Sequence, residues 1–200
     1  MVVGIVLAAG TSSRMGRPKA LLPVGDDTFV SRVCRTLLAA GIDDLVVVAG
    51  AERTEVADAV GLAGLPARVI ENTRRQEGQL SSVLAGLAVA DRPGVEAVLV
   101  HLVDAPLVQT GTVRAVLEAF RRTRAPIVRP AVGSRHGHPV LFARRVFDAL
   151  RHADPAAGAK AVVRAHAAEV CNVPVDDEGA CQDIDTPEEY ARLSRSGPAD

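Results

Sequence analysis

Short apolar runs alternate with stretches of helical period from Val2 to Phe120, and that rhythm admits few folds. Val2-Val3-Gly4-Ile5-Val6-Leu7 is a continuous, mostly β-branched run, the pattern of a strand buried on both faces of a parallel sheet. Phe29 to Ala40 places Val30, Val33, Leu37 and Leu38 at helical spacing and stops at Gly41, a residue suited to the end of a helix. Strands follow at 45–49, 67–70 and 97–103, and helices at 54–60, 80–89 and 112–120. Such alternation implies βαβ units with right-handed crossovers. The fold class expected is α/β, a three-layer α/β/α, Rossmann-like arrangement around a mostly parallel sheet.

After Pro126 the rhythm loosens. Ile127-Val128 and Pro139 to Phe142 read as strands around the polar turn 133–138, a hairpin or long loop in place of another βαβ unit. Helices are expected at 146–151 and 160–168, a last strand at 170–175 and a helix from Pro187. No linker or repeat divides the 200 residues, so residues 1–193 read as one domain, with 194–200 as a flexible tail.

Composition excludes several function classes. A formal net charge of −1 gives no basic field for nucleic acid. The Arg74-Arg75, Arg121-Arg122 and Arg144-Arg145 pairs read as solvated helix faces. Cys34, Cys171 and Cys181 are odd in number and widely spaced, without a CxxC, so neither a disulfide framework nor a zinc knuckle is expected. No apolar stretch is long enough for a membrane span, and the N-terminus lacks a signal-peptide pattern. The protein reads as cytoplasmic, with no membrane and no nucleic acid among its partners.

In an open α/β sheet, ligands bind beyond the carboxyl ends of the strands. The polar segments that follow the strands, 8–19, 72–79, 104–106 and the stretch around Asp185, therefore converge on one rim. Within the first of these, Ala8, Ala9 and Gly10 let backbone approach a ligand closely, and successive N–H groups can form an anion nest. Ser12 and Ser13 add hydroxyls. Arg14 and Lys19 add two cations, and phosphate is the anion that best uses the set. The loop is neither a Walker A sequence nor a GxGxxG fingerprint.

The string Leu7-Ala8-Ala9-Gly10, Arg14-Met15-Gly16 and Pro18-Lys19-Ala20-Leu21-Leu22-Pro23 resembles the signature of the molybdopterin nucleotidyltransferases and related small NTP transferases. The resemblance continues through Glu77-Gly78, Ser81-Ser82, Asp104 in Asp-Ala-Pro-Leu, Gly137-His138-Pro139-Val140-Leu141-Phe142 and Asp183-Ile184-Asp185-Thr186-Pro187-Glu188. It implies the GT-A-like version of the fold found in nucleotide-diphospho-sugar transferases. It further implies that the first loop, from Leu7 through Ala8, Ala9, Gly10 and Ser12, holds a triphosphate, with Arg14 and Lys19 neutralising charge as pyrophosphate departs. Asn72, Gly78, Ser81 and Ser82 would contact base and ribose. Asp104 and Asp185 would hold a magnesium ion, an assignment that suits hard oxygen ligands. Two departures stand out: Ala105 follows Asp104 where the family commonly has Gln or Met, and Gln79-Leu80 replaces smaller residues.

Plainer roles stand beside these. Asp104 can turn a strand end, Thr186 and Pro187 can start a helix as N-cap and N1, and His138 can be a turn histidine or shape an acceptor pocket. His101, inside an apolar run, reads as a hydrogen-bonded core residue. Within the family, Ala8-Ala9-Gly10 resembles the cytidylyl version, guanylyl enzymes more often having Ala-Gly-Gly. The expected reaction is therefore CMP transfer from CTP to the phosphate of molybdopterin or the molybdenum cofactor, with a molybdoenzyme or its chaperone as protein partner. Transfer to a sugar or polyol phosphate, and a non-catalytic nucleotide or cofactor carrier, are the alternatives.

Overall fold

The computed structural model describes residues 1–10 and 15–196, with side chains through residue 193. The elements in chain order are β1 (Val2–Ala8), β2 (Pro23–Val24), β3 (Asp27–Thr28), α1 (Phe29–Ala39), β4 (Asp44–Ala49), α2 (Arg53–Leu62), β5 (Ala67–Glu71), α3 (Gln79–Ala90) and β6 (Ala97–Leu102). They continue with α4 (Thr110–Thr123), β7 (Ile127–Val132), β8 (Arg135–His136), β9 (Val140–Ala143), α5 (Phe147–Arg151), α6 (Ala159–Ala165), β10 (Val170–Pro174) and α7 (Pro187–Ser196). The α7 helix runs past residue 193, into the stretch the sequence marks as tail.

The main sheet has the order β10-β7-β9-β6-β1-β4-β5, with β8 paired to β7. Strands β6, β1, β4 and β5 are mutually parallel, and β10 is parallel to β7. Only β9 breaks the direction along this row: it lies antiparallel to both β6 and β7. The short β8 folds back on β7, pairing Ala131 with His136 and Val132 with Arg135. The turn after Gly133 is thus a hairpin, one of the two forms the sequence allows.

Side chains alternate across the sheet with the period of a strand. Val6, Leu45, Val47 and Leu99 face the layer of α1, α2 and α4, while Ile5, Val46, Val48 and Val98 face α3, α5 and α6. Both faces of the central strands are fully buried, which is why those strands read as unbroken apolar runs. Gly41, at φ +98°, ends α1 in a conformation that side-chain-bearing residues rarely adopt. The result is the three-layer α/β/α arrangement expected, and the polar segments after the strands meet on one rim.

Candidate functional site

Beyond the carboxyl ends of β1 and β6 lies a cleft of about 340 Å³, walled by the β1 loop on one side and by the start of α3 on the other. Leu7, Ala8, Ala9 and Gly10 line it, as do Lys19, Gly78, Ser82, Asp104 and Asp185. Backbone hydrogen bonds fix the floor. Val103 N–H donates to the Leu7 carbonyl at 3.1 Å, carrying the β6 chain one residue past its strand, and Ile184 N–H donates to the Asp104 carbonyl at 2.7 Å. The second of these ties a segment 80 residues distant in sequence onto Asp104 and sets Asp185 beside it.

Asp185 is held from the other side by α7. The Asp185 and Thr186 N–H groups donate to Glu189 Oε2 at 2.8 and 2.9 Å, and Glu189 N–H donates to Thr186 Oγ1 at 3.2 Å. This is a reciprocal capping box that starts a helix at Pro187. The helix-start reading of this segment is therefore right, and it coexists with placement of Asp185 in the cleft. Tyr190 locks the helix down by donating its hydroxyl to the Pro23 carbonyl at 2.9 Å and meeting Phe29 edge-on at 5.9 Å.

Lys19 joins the two carboxylates. Its ammonium stands 3.1 Å from Asp104 Oδ2 and 2.5 Å from Asp185 Oδ1. The short turn Lys19–Leu21 that carries it is anchored by buried Ala20 and Leu22. Burial pulls the lysine pKa down, but the hydrogen bond to Asp185 and the charge of Asp104 outweigh it and raise the pKa above the ordinary value. Asp183, two residues before Asp185, is pushed up first by desolvation and then by the charges of Asp104 and Asp185.

The carboxylates suit a hard divalent ion. Asp104 Oδ1 is buried without a hydrogen-bond partner among the described residues, and its other oxygen already shares a cation with Asp185. Among the described residues no group of three or more His, Cys, Asp or Glu is gathered around one point. Two carboxylates fit an ion that completes its shell with water and substrate phosphate, as magnesium does.

Other predicted residues fall less directly. Gly78 and Ser82 reach the cleft, but Asn72 and Ser81 lie behind its wall. Asn72 Nδ2 donates to Ser81 Oγ at 2.7 Å and to Ser82 Oγ at 2.9 Å, while its Oδ1 accepts from Arg74 N–H at 2.9 Å. With both donors and its carbonyl engaged, Asn72 shapes the turn before α3. Ser12 and Arg14 lie outside the described residues. Met15, Arg75 and Gln79 also line the cleft. Arg75 sits in one of the arginine pairs that composition assigns to solvent, and no spacing rule distinguishes it there.

A second cavity of about 310 Å³ shares Leu7, Gln79 and Leu102 with the first. Val83, Val100 and Phe142 give it an apolar side, and Arg129, Lys160 and Arg164 a cationic one. His138 lines it, its Nδ1 buried without a partner among the described residues. Burial pushes the His138 pKa down to about 4, against the pull of Asp104 and the Val100 backbone. His101, 1% exposed, stands 6.3 Å from it, ring centre to ring centre. Burial, then His138, push its pKa down to about 3, with the Ala105 backbone opposing. Neither ring nitrogen of His101 makes a hydrogen bond of ordinary geometry among the described residues. The core placement is as expected, while the expected hydrogen bond is reduced to the pull of the Ala105 backbone, outside ordinary hydrogen-bond geometry.

Known proteins share this architecture. Nicotine blue oxidoreductase of Paenarthrobacter nicotinovorans is 34% identical over 200 residues, 96% of each chain. A protein of Opitutus terrae named "Probable molybdenum cofactor guanylyltransferase" is 31% identical over 135 residues, 66% of this chain and 62% of that one. Rv0371C of Mycobacterium tuberculosis, solved in complex with manganese, superposes with a TM-score of 0.76 at 30% identity, over 98% of each chain. No helix among the described residues is long and apolar enough to cross a membrane. The model of the MobA-like NTP transferase domain matches residues 4–170, which spans the β1 loop, Lys19 and Asp104, and the chain belongs to this family of nucleotidyltransferases.

Proposed function

We propose that the protein transfers CMP from CTP to the phosphate of molybdopterin or the molybdenum cofactor, releasing pyrophosphate, with magnesium as the metal. The observation that carries this reading is the meeting of Lys19 with Asp104 and Asp185 beside the Ala8–Gly10 loop, at 3.1 and 2.5 Å. An acceptor phosphate oxygen attacks the α-phosphorus of CTP, a new P–O bond forms, and the bond to the pyrophosphate oxygen breaks. The acceptor phosphate is already ionised near neutral pH, so the protein needs no strong general base. Its work is positioning and neutralisation of charge. The β1 loop offers backbone N–H groups to the phosphates. Lys19 holds positive charge against the departing pyrophosphate. Asp104 and Asp185 would hold magnesium, which when bound supplies charge neutralisation at the phosphates.

The cytosine assignment is supported by Ala8-Ala9-Gly10; the guanylyl name of the Opitutus relative is the competing indication. The second cavity favours an acceptor with an apolar ring body and an anionic group, since Arg129, Lys160 and Arg164 line it together with Phe142. A pyrophosphate-release assay with each of the four nucleoside triphosphates, in magnesium and with molybdopterin or a panel of sugar phosphates, tests the reading. CTP with molybdopterin should give the highest rate, and a clear preference for GTP or for a sugar phosphate would overturn that part of it. Asp104→Asn should lower the rate about 100-fold or more.

A second reading follows from the relative named an oxidoreductase, which matches along nearly the whole chain. Redox turnover of nicotine blue, followed by its absorbance, tests it. Turnover there with no pyrophosphate released from any triphosphate would replace the CTP reading.

A further inference from the structure

Arg74 and Arg75 are neighbours with different surroundings. Arg74 faces solvent and pairs with Glu77 at 3.7 Å. Arg75 is half-buried and lines the first cleft. Its stem lies against the tip of β4: a Cβ built on Gly50 would stand 3.2 Å from Arg75 Cδ and 3.4 Å from the Ala9 carbonyl oxygen. Glu52 approaches the same point without forming an ion pair with Arg75. Among the described residues no acceptor takes a hydrogen bond from the Arg75 guanidinium. A fork of five donors, partly withdrawn from water and unmatched by protein, is suited to a ligand with two adjacent acceptors.

Its place across the sheet identifies the part of the ligand. Asp104 follows β6 and Gly50 follows β4, with β1 between them, a span of about 10 Å at ordinary strand spacing. On the nucleotide reading above, the reacting phosphorus lies by Asp104 and the departing β- and γ-phosphates lie with Lys19, so the nucleoside extends from the phosphorus in the other direction. A nucleoside laid from β6 across the end of β1 carries its far end to β4 and to the turn at Arg75–Glu77 that leads into α3. That far end is the base.

We propose that Arg75 donates two hydrogen bonds to the acceptor edge of the nucleobase and so selects which triphosphate binds; this rests on the nucleotide reading. Cytosine presents O2 beside N3, and guanine presents O6 beside N7, each a pair of neighbouring acceptors. Adenine sets its N6 donor beside N7, and uracil sets a ring N–H between its carbonyls. The fork fits the first two bases and meets a donor on the others.

The test is calorimetric binding of CTP, GTP, ATP, UTP and inorganic tripolyphosphate, in magnesium, to the wild type, Arg75→Ala and Arg75→Lys. The wild type should prefer CTP or GTP. Both variants should lose about 10- to 100-fold in affinity for that nucleotide, with ATP, UTP and tripolyphosphate unchanged and thermal midpoints matching the wild type. Lysine should fail to rescue, because it restores charge without the fork. A loss shared equally by all five ligands and rescued by lysine would make Arg75 a phosphate contact and overturn the inference. So would a wild type that binds all four triphosphates equally, or prefers ATP or UTP, a result that stands even if a variant does not fold. A wild type that binds tripolyphosphate and no nucleoside triphosphate better would overturn the inference while leaving the phosphate site; one that binds none of the five would remove the nucleotide reading itself.

Discussion

At Lys19, two carboxylates from distant parts of the chain share one ammonium. In the absence of ligand this cation offsets the repulsion between Asp104 and Asp185, and it stands where a divalent ion would compete for the same oxygens. Lys19→Met should therefore bind Mn²⁺ about tenfold more tightly than the wild type when no nucleotide is present, as read by the paramagnetic signal of the free ion. On the proposed reaction the same variant should turn over about 100-fold or more slowly, since it removes the charge set against the departing pyrophosphate. Unchanged metal affinity would show that the ammonium and the ion occupy separate places. Lys19, Asp104 and Asp185 were all legible as candidates because each sits in a motif. Arg75 was not, because an arginine's environment depends on what folds over it, here the glycine at position 50.

Elements hold these residues in register. Asp177, 3% exposed, accepts from Gln109 N–H at 2.9 Å, Thr112 Oγ1 at 2.6 Å and Gly179 N–H at 3.1 Å. It caps the start of α4 from a loop far along the chain. Asp177→Ala strands these donors and should lower stability by about 3 kcal/mol, measured by urea unfolding, whereas a surface change such as Glu188→Ala should stay within about 0.5 kcal/mol. Gly137 packs on the same loop: a Cβ there would fall 1.7 Å from the Ala180 carbonyl oxygen, a backbone atom that cannot simply rotate away. Gly137→Ala should displace the neighbouring His138 N–H, which donates to that carbonyl at 2.8 Å, and weaken acceptor binding more than nucleotide binding. Equal loss of both would deny the second cavity a distinct role. The main-sheet strands through β6 and the helices up to Ala90 were readable to within a residue or two, whereas α4 runs three residues past its expected end and the short β2–β3 hairpin was not foreseen. The antiparallel β9 was readable as a strand but not as the wedge between β6 and β7, because pairing partners depend on the crossover taken by α4.

Across the whole molecule, the two buried histidines couple folding to acidity. His101 and His138 have folded-state pKa values pushed from 6.5 down to about 3 and about 4. Both are neutral in the fold, while the unfolded chain takes up a proton at each below about pH 6.5. The unfolded state then binds more protons, so stability is unaffected above that pH, falls as pH drops from 6.5 toward about 4 for His138 and about 3 for His101, and levels off lower. At pH 5 each group should cost about 2 kcal/mol. His101→Leu should remove its share of the slope in denaturant midpoints taken between pH 7 and pH 5; an unchanged slope would show that the imidazole is protonated in the folded protein. By itself the sequence determined the layered α/β class, the strands buried on both faces and the segments that carry the charged groups, because hydrophobic period and motif are local properties of the chain. Only the tertiary structure decided that Lys19 bridges two aspartates, that Asn72 spends its hydrogen bonds on Ser81 and Ser82, that His101 has no partner of ordinary geometry among the described residues and that Arg75 enters the cleft. Each of those outcomes depends on which distant backbone and side chains fill the space around a group, and that space exists only once the sheet is assembled.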